Sequence, residues 1–265
     1  MKYRLIMMRG KDAYTQMAVD EAILDAVLEN KSPETLRFFD FCPQAITIGR
    51  LQKIEEINVN LCEKKGIDIV RRLTGGRAVV HSGDFTFSLI IKRNNPIFGG
   101  TIYETYKAVS AIFLFSLRSL DVPATWEKVK YTKVKSKNSS LQKNPLCFSS
   151  VSRYELTINK KKVLGVSQYR KRDTILIQGT LLLRKTTSIF FDLFPRSSHG
   201  NISNIEEIGK ITIGFETFGD VLKEELKGIY RISVGCGELS SREIEQAEIL
   251  RRKYKSYEWN YRYTY

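Results

Sequence analysis

Between Thr15 and Asn30 (TQMAVDEAILDAVLEN) apolar residues recur at three- and four-residue spacing among strong helix formers, so the spacing predicts an amphipathic helix. Ahead of it, Met1 to Arg9 is an apolar run broken by Lys2 and Arg4. It is too short and interrupted for a secretory signal and reads as a first strand. Strand-like stretches follow at Thr35–Phe41 and Ala45–Ile48, with Cys42-Pro43-Gln44 as the turn between them. Val59–Lys65 reads as a short helix stopped by Gly66, and Ile67–Arg71 as a strand feeding Gly75-Gly76. Beyond that turn, Ala78–His81 and Phe85–Ile91 are expected to form a strand pair. Thr101–Leu120 is a long amphipathic helix whose apolar face covers a sheet. Lys128–Asn144, rich in Lys, Ser and Asn without periodicity, reads as a surface loop. Arg153–Ile158 then alternates as a strand, Asn159-Lys160-Lys161 turns it, and Val163–Gln168 returns as its hairpin partner. Ile175–Leu183 is a further strand. From Glu216 the pattern is helical, most clearly at Val221–Leu226 and Ser241–Tyr254.

Helix, antiparallel strands, helix, more strands, then helices is an α+β order rather than βαβ alternation, which implies mixed or antiparallel sheets flanked by helices. The simplest organisation is a single domain over residues 1–265 with a helical C-terminal segment and no accessory domain. Hydrophobic residues at 42% and charged residues at 27% are an ordinary globular balance. No apolar run approaches the roughly eighteen residues that span a bilayer. A cytoplasmic, membrane-free and monomeric protein is expected. The four cysteines, Cys42, Cys62, Cys147 and Cys236, form no C-x-x-C pair, and His81 and His199 lie far apart. That excludes a structural zinc site of ordinary spacing and points to free thiols, mostly buried. A net charge of +14 calls for an anionic partner. Nucleic acid would serve, but the basic residues are spread along the chain with no basic helix or zinc-finger spacing, and an acidic protein fits the charge equally well.

Two places carry candidate chemistry. Arg71 to His81 puts Gly75-Gly76, the guanidinium groups of Arg71, Arg72 and Arg77, and one of two histidines within eleven residues. Glycine lets backbone N–H groups approach a ligand closely, and arginine offers carboxylate or phosphate a fixed fork. A hairpin turn with solvated arginines has the same sequence. Cys147 follows the polar loop and directly precedes a strand, and a nearby cation would lower its thiol pKa. Lys162, across the expected hairpin, is the natural candidate; an idle cysteine beside a solvated lysine turn is the plainer alternative.

The Arg71–His81 stretch resembles the R-R-x-T-G-G-G/R-x-V-x-H signature of the superfamily of lipoate–protein ligases, octanoyltransferases and biotin ligases. Cys147-Phe148 with Ser152-Arg153-Tyr154-Glu155-Leu156 is similar to the C-F-x-x-P-S-x-Y-E-L/V segment of its cysteine-dependent octanoyltransferases. Lys162-Val163-Leu164-Gly165-Val166-Ser167-Gln168 is similar to the K-I/V-x-G-S/A-S/A-Q run that carries the superfamily's lysine. Ile177 to Leu182 resembles Q-H-G-S/T-I/L-L, and Lys253-Tyr254 with Glu258 to Tyr261 matches a K-Y-x-x-x-E-W-N-Y ending. Together these cover essentially the whole chain. Three positions depart from the pattern: Ser82 stands where Asp is usual, Val151 where Pro is usual, and Gln178 where the His of Q-H-G is usual.

The resemblance implies a fold like the biotin/lipoate ligase catalytic domain and an octanoyl transfer through an acyl-enzyme. On it, Cys147 is the nucleophile, and Lys162 stabilises its thiolate and shuttles the proton of the incoming amine. Arg71, Arg72, Thr74, Gly75, Gly76, Arg77, Val79, His81, Gly165, Ser167, Gln168, Gly179 and Thr180 would bind substrate. Backbone N–H groups of Thr74–Arg77 or near Gly165 would hold the oxyanion, and Val79, Val80 and Gly165 would line an acyl tunnel. The donor would be octanoyl acyl carrier protein and the acceptor a lipoyl-domain protein, such as a glycine-cleavage carrier or a 2-oxoacid dehydrogenase subunit, with no cofactor. Both partners are typically acidic, which gives the charge a use. The alternative is an ATP-dependent lipoate–protein ligase, which would use ATP and Mg²⁺, place Lys162 at an acyl-adenylate phosphate and need no Cys147. His199, in a polar loop, is assigned no role.

Overall fold

In the computed structural model, which describes residues 1–126, 155–184, 192–194 and 204–262, β1 (Lys2–Lys11) leads at once into α1 (Ala13–Leu28). Asp12 caps that helix by accepting the backbone N–H of Thr15, which starts it ahead of the apolar periodicity. β2 (Thr35–Phe41) returns parallel to β1, so α1 serves as a crossover in an otherwise largely antiparallel order. Then come β3 (Ala45–Ile48), α2 (Val59–Lys64), β4 (Asp68–Arg71), β5 (Val79–His81) and β6 (Phe85–Lys92). The capping box of Thr101 and Glu104 opens α3 (Ile102–Arg118). After it lie β7 (Thr125–Trp126), β8 (Leu156–Ile158), β9 (Lys161–Lys162), β10 (Leu164–Lys171) and β11 (Thr174–Leu181). The C-terminal part is α4 (Ile205–Gly209), α5 (Phe215–Tyr230), β12 (Ser233–Cys236), α6 (Ser241–Lys255) and α7 (Tyr257–Asn260). The fold is α+β, as its pattern implies. No helix among the described residues is long and apolar enough to cross a membrane.

The main sheet runs β10-β11-β6-β2-β1-β12, and two three-stranded sheets run β4-β3-β5 and β7-β8-β9. Side-chain alternation gives the main sheet two apolar faces. Ile6, Phe39, Ile90 and Leu176 pack under Val19, Ile23 and Leu24 of α1. Their neighbours Leu5, Phe38, Leu89 and Ile177 face the other way, into a core with Ile112 and Phe113 of α3 and Phe218 and Leu222 of α5. A third core, built on Ile46, Ile48, Ile69 and Val80, lies under the β4-β3-β5 sheet.

Two expected pairings change, and one strand is added. Ala78–His81 and Phe85–Ile91 do not pair with each other: β5 joins β3, while β6 lies between β2 and β11. Gly83, at φ +72°, turns the chain between sheets, so Val80 and Phe85 bury in different cores. Val163–Gln168 is likewise not the partner of β8. Asn159 and Lys160, both at positive φ, make a two-residue hairpin that pairs Ile158 with Lys161 and Thr157 with Lys162. The chain then crosses to the main sheet, where Gly165 pairs with Thr180 and Gln168 with Ile177. β12 interrupts the expected helical run and adds a parallel edge strand to β1.

Candidate functional site

The Gly75-Gly76 turn closes over a cavity of about 120 Å³. The α1-facing side of the main sheet supplies Phe39, Thr86, Gln178 and Thr180 to its wall, and α1 supplies Met17. Thr47, Val79 and His81 come from the β4-β3-β5 sheet, Gly165, Ser167 and Gln168 from β10, and Gly179 from β11. Arg72, Phe41, Tyr106 and Val166 complete much of the rest. The residues expected from sequence at a substrate site therefore largely converge: Arg72, Gly75, Gly76, Val79, His81, Gly165, Ser167, Gln168, Gly179 and Thr180 all line this space.

Others lie elsewhere. Val80, expected in the tunnel wall, alternates away from Val79 into the third core. Arg71 is buried behind the turn, where its guanidinium donates to the carbonyls of Gly49, Arg50, Gln52, Trp259 and Asn260. It braces the site rather than lining it. Thr74 sits just behind the wall, and the half-buried Arg77 presents its carbonyl to Arg72. Lys162 is buried in β9, ion-paired with Glu155, three residues before Gly165. Cys147, with Val151 and Ser152 of its motif, lies outside the described residues, as does His199. Among the described cysteines, burial pushes the Cys62 thiol up to about 11 with help from Glu63, while Cys42 and Cys236 are exposed rather than buried. No group of three or more His, Cys, Asp or Glu among the described residues is arranged to hold a metal ion.

The polar side chains of the wall bond to one another. Arg72 donates from Nε to Thr74 Oγ1 (3.1 Å) and from its terminal nitrogens to the carbonyls of Thr47 (3.0 Å), Gly75 (2.7 Å) and Arg77 (2.9 Å). The Ser167 hydroxyl donates to Thr74 Oγ1 (2.9 Å), and Thr74 donates to Gln178 Oε1 (2.7 Å). Gln178 Nε2 in turn donates to Asp20 (2.6 Å), which also accepts from Ser88 and pairs with Arg37. His81 has Nδ1 on Asp84 (2.8 Å) and Nε2 on the Thr47 hydroxyl (3.0 Å), with Phe41 packed 4.1 Å from its ring. Nδ1–H donating to the carboxylate and Nε2 accepting from the hydroxyl satisfies both partners. The cavity is thus polar by residue type, but the side chains of Arg72, Thr74, Ser167, Gln178 and His81 spend hydrogen bonds on protein groups.

Sequence reading missed Met17, Thr47, Phe39, Phe41, Thr86 and Tyr106, which long-range pairing alone brings here, and Gln178, noted only as a departure from the pattern. Gln178 replaces the usual His and bridges Thr74 to Asp20. Ser82, where Asp is usual, accepts from the exposed Gln44 amide. Gly49 was also missed. A Cβ on it would lie 1.9 Å from the Gly76 carbonyl oxygen, so the second glycine, at φ +91°, can close the turn only against a glycine. Gly49→Ala should lower stability by about 1–3 kcal/mol, the cost of overpacking. Urea unfolding measures it, and a midpoint equal to the parent protein's would show that the turn moves aside freely.

The sequence profile of the lipoyl protein ligase A/B catalytic domain matches residues 12–227 of this chain. The chain is similar to octanoyltransferase LipM of Brevibacillus brevis, at 31% identity over 98% of this chain and 99% of that one. It is similar to octanoyltransferase LipM of Staphylococcus aureus at 28% identity, over 96% of each chain. In fold it is similar to a lipoate-protein ligase A crystallised with ATP, with a TM-score of 0.79, 21% identity and 98% of both chains covered. A bipartite lipoate protein ligase of Thermoplasma acidophilum gives a TM-score of 0.73 at 19% identity, over 98% of this chain and 96% of that one.

Proposed function

The chain belongs to the lipoyl protein ligase A/B catalytic domain family, and from that membership we propose that it is an octanoyltransferase working through a cysteine thioester. It is an acyltransferase of protein lipoylation. In the finer reading, the Cys147 thiolate attacks the thioester of octanoyl acyl carrier protein, and the octanoyl group waits on the cysteine. The amine of a lysine on a lipoyl-domain acceptor then takes it. The acceptor is of the kind found in glycine-cleavage carriers and 2-oxoacid dehydrogenase subunits. Lys162, three residues before Gly165 of the cavity wall, stabilises the thiolate, and backbone N–H groups near Gly75-Gly76 or Gly165 stabilise the oxyanion.

The observation that carries this reading is the internal satisfaction of the cavity's polar wall. Arg72 turns its fork toward protein carbonyls and Thr74 rather than toward the cavity, which suits a hydrocarbon better than a phosphate. Each methylene buried there contributes about 0.8 kcal/mol. On this reading the protein needs neither ATP nor Mg²⁺, and its +14 charge serves acidic carrier proteins.

Incubation with octanoyl acyl carrier protein should add the mass of one octanoyl group to the protein, and the addition should vanish in Cys147→Ser. Modification of the acceptor that requires ATP and lipoate, and that survives Cys147→Ser, would replace this reading by the ligase one. Lys162→Ala should be inactive under either reading.

A further inference from the structure

Lys162 is 3% exposed, and an ammonium so deeply buried needs a partner. Glu155 supplies it: its carboxylate accepts from Lys162 Nζ across the β8-β9 hairpin, where Thr157 pairs with Lys162. The two side chains differ in their access to water. That of Lys162 is 4% exposed and that of Glu155 23%, so the pair runs from a dry end to a wet one. The dry end lies at the point where the chain leaves the hairpin for the main sheet. Val163 N–H bonds to Leu156 there, and the Val163 carbonyl accepts from Leu182. Gly165, in the cavity wall, follows two residues later.

We infer that Glu155 is a positioning residue for Lys162 and the proton acceptor behind it in the second half of the reaction; this rests on the transferase reading above. The two halves differ in their proton balance. In loading, the Cys147 thiolate attacks the donor thioester, a new C–S bond forms, the old one breaks, and the carrier leaves as a thiolate. No proton has to move. In transfer, the neutral acceptor amine attacks the acyl carbon, a C–N bond forms, and the bond to Cys147 breaks with its electron pair on sulfur. The nitrogen must shed one proton. Lys162 takes it as it passes one of its own to Glu155. The site ends with a carboxylic acid, an ammonium and a thiolate, matching the net charge of the carboxylate, ammonium and neutral amine it began with. Glu155, at the wet end, then releases the proton to solvent.

Glu155→Gln separates charge from geometry, since the amide oxygen still accepts from Lys162 but is not basic. Single-turnover mass measurements follow loading from octanoyl acyl carrier protein and transfer to a lipoyl domain separately. Transfer should slow about a hundredfold relative to loading, in the range of general-base contributions. Glu155→Asp, which keeps the charge, should recover part of that loss. In the unaltered protein, heavy water should slow transfer more than loading, a measurement that needs no variant. Equal slowing of both halves in Glu155→Gln, no slowing of either, or equal isotope effects would overturn the inference. An unaltered protein that takes no octanoyl group at all sinks the transferase reading, and this inference with it.

Discussion

Asp20→Ala should lower the stability of this protein by about 3–5 kcal/mol, because it leaves a buried guanidinium without its counter-charge. Arg37 is fully buried on the α1-facing side of the main sheet. Its guanidinium pairs with Asp20, donates to Gln16 Oε1 (2.6 Å) and lies 4.6 Å over the Phe39 ring. Burial pushes Arg37 down from its ordinary value, and Asp20 works against that shift. The neighbouring neutral acceptors cannot replace the carboxylate. The same carboxylate accepts from Gln178 and Ser88, so the alanine also frees the amide that orients Thr74 and the glycine turn. Exchanging both charges, as in Arg37→Met with Asp20→Leu, removes the desolvation cost together with the attraction and should be far milder. Urea unfolding of the two single and one double variants reads this as a coupling energy. A single variant within about 1 kcal/mol of the parent protein would mean that water or Gln16 compensates the charge.

Asp20 also shows where sequence reading stops. Asp20 and Glu21 are charged residues within a helix of apolar three- and four-residue spacing, yet both are buried. Asp20 meets Arg37 from β2, and Glu21 meets Lys253 and Tyr254 from α6. Spacing reports that a helix has an apolar face, but not that partners 17 and 232 residues later cover the other. The long helices and most strands were legible because each carries its own period, whereas the five-residue α4 before Glu216 was not. The partners of β5 and β10 were not, since pairing depends on which core a strand's apolar side fills, and adjacent segments such as Val80 and Phe85 fill different ones. β12, only Ser-Val-Gly-Cys, carries no period to read, and parallel pairing with β1 makes it a strand. For the cavity, the glycine turn and the Gly165–Gln168 run were visible as motifs. Its aromatic and methionine wall comes from register: Phe39 stands opposite Thr86 on β6, and Thr86 opposite Thr180 on β11.

Arg71→Ala should match Asp20→Ala in cost, at about 3–5 kcal/mol, and Arg71→Lys should recover little of it. Arg71 is 2% exposed and gathers five backbone carbonyls from two distant segments. Gly49, Arg50 and Gln52 belong to the loop against which Gly76 closes, whereas Trp259 and Asn260 belong to α7 at the C-terminal end. The backbone of Arg71 completes the clamp: its N–H donates to Asn260 Oδ1 (2.7 Å), and its carbonyl accepts from the Trp259 indole (2.8 Å). Alanine would take this donor from all five carbonyls, of which that of Gly49 keeps the Gln52 N–H, in a largely buried place. Lysine brings three donors from one point and cannot span acceptors that a planar guanidinium reaches along both edges. The loss should therefore appear twice. Unfolding should move to lower urea, and the folded fraction should show a raised KM for the octanoyl donor, because the loop bracing the glycine turn is released from the C-terminal helix. Trp259→Ala, which frees only one carbonyl of Arg71, should shift both in the same direction by less. An Arg71→Lys protein with the parent's midpoint and KM would show that a charge suffices here and that the fork is not what joins the C-terminus to the site.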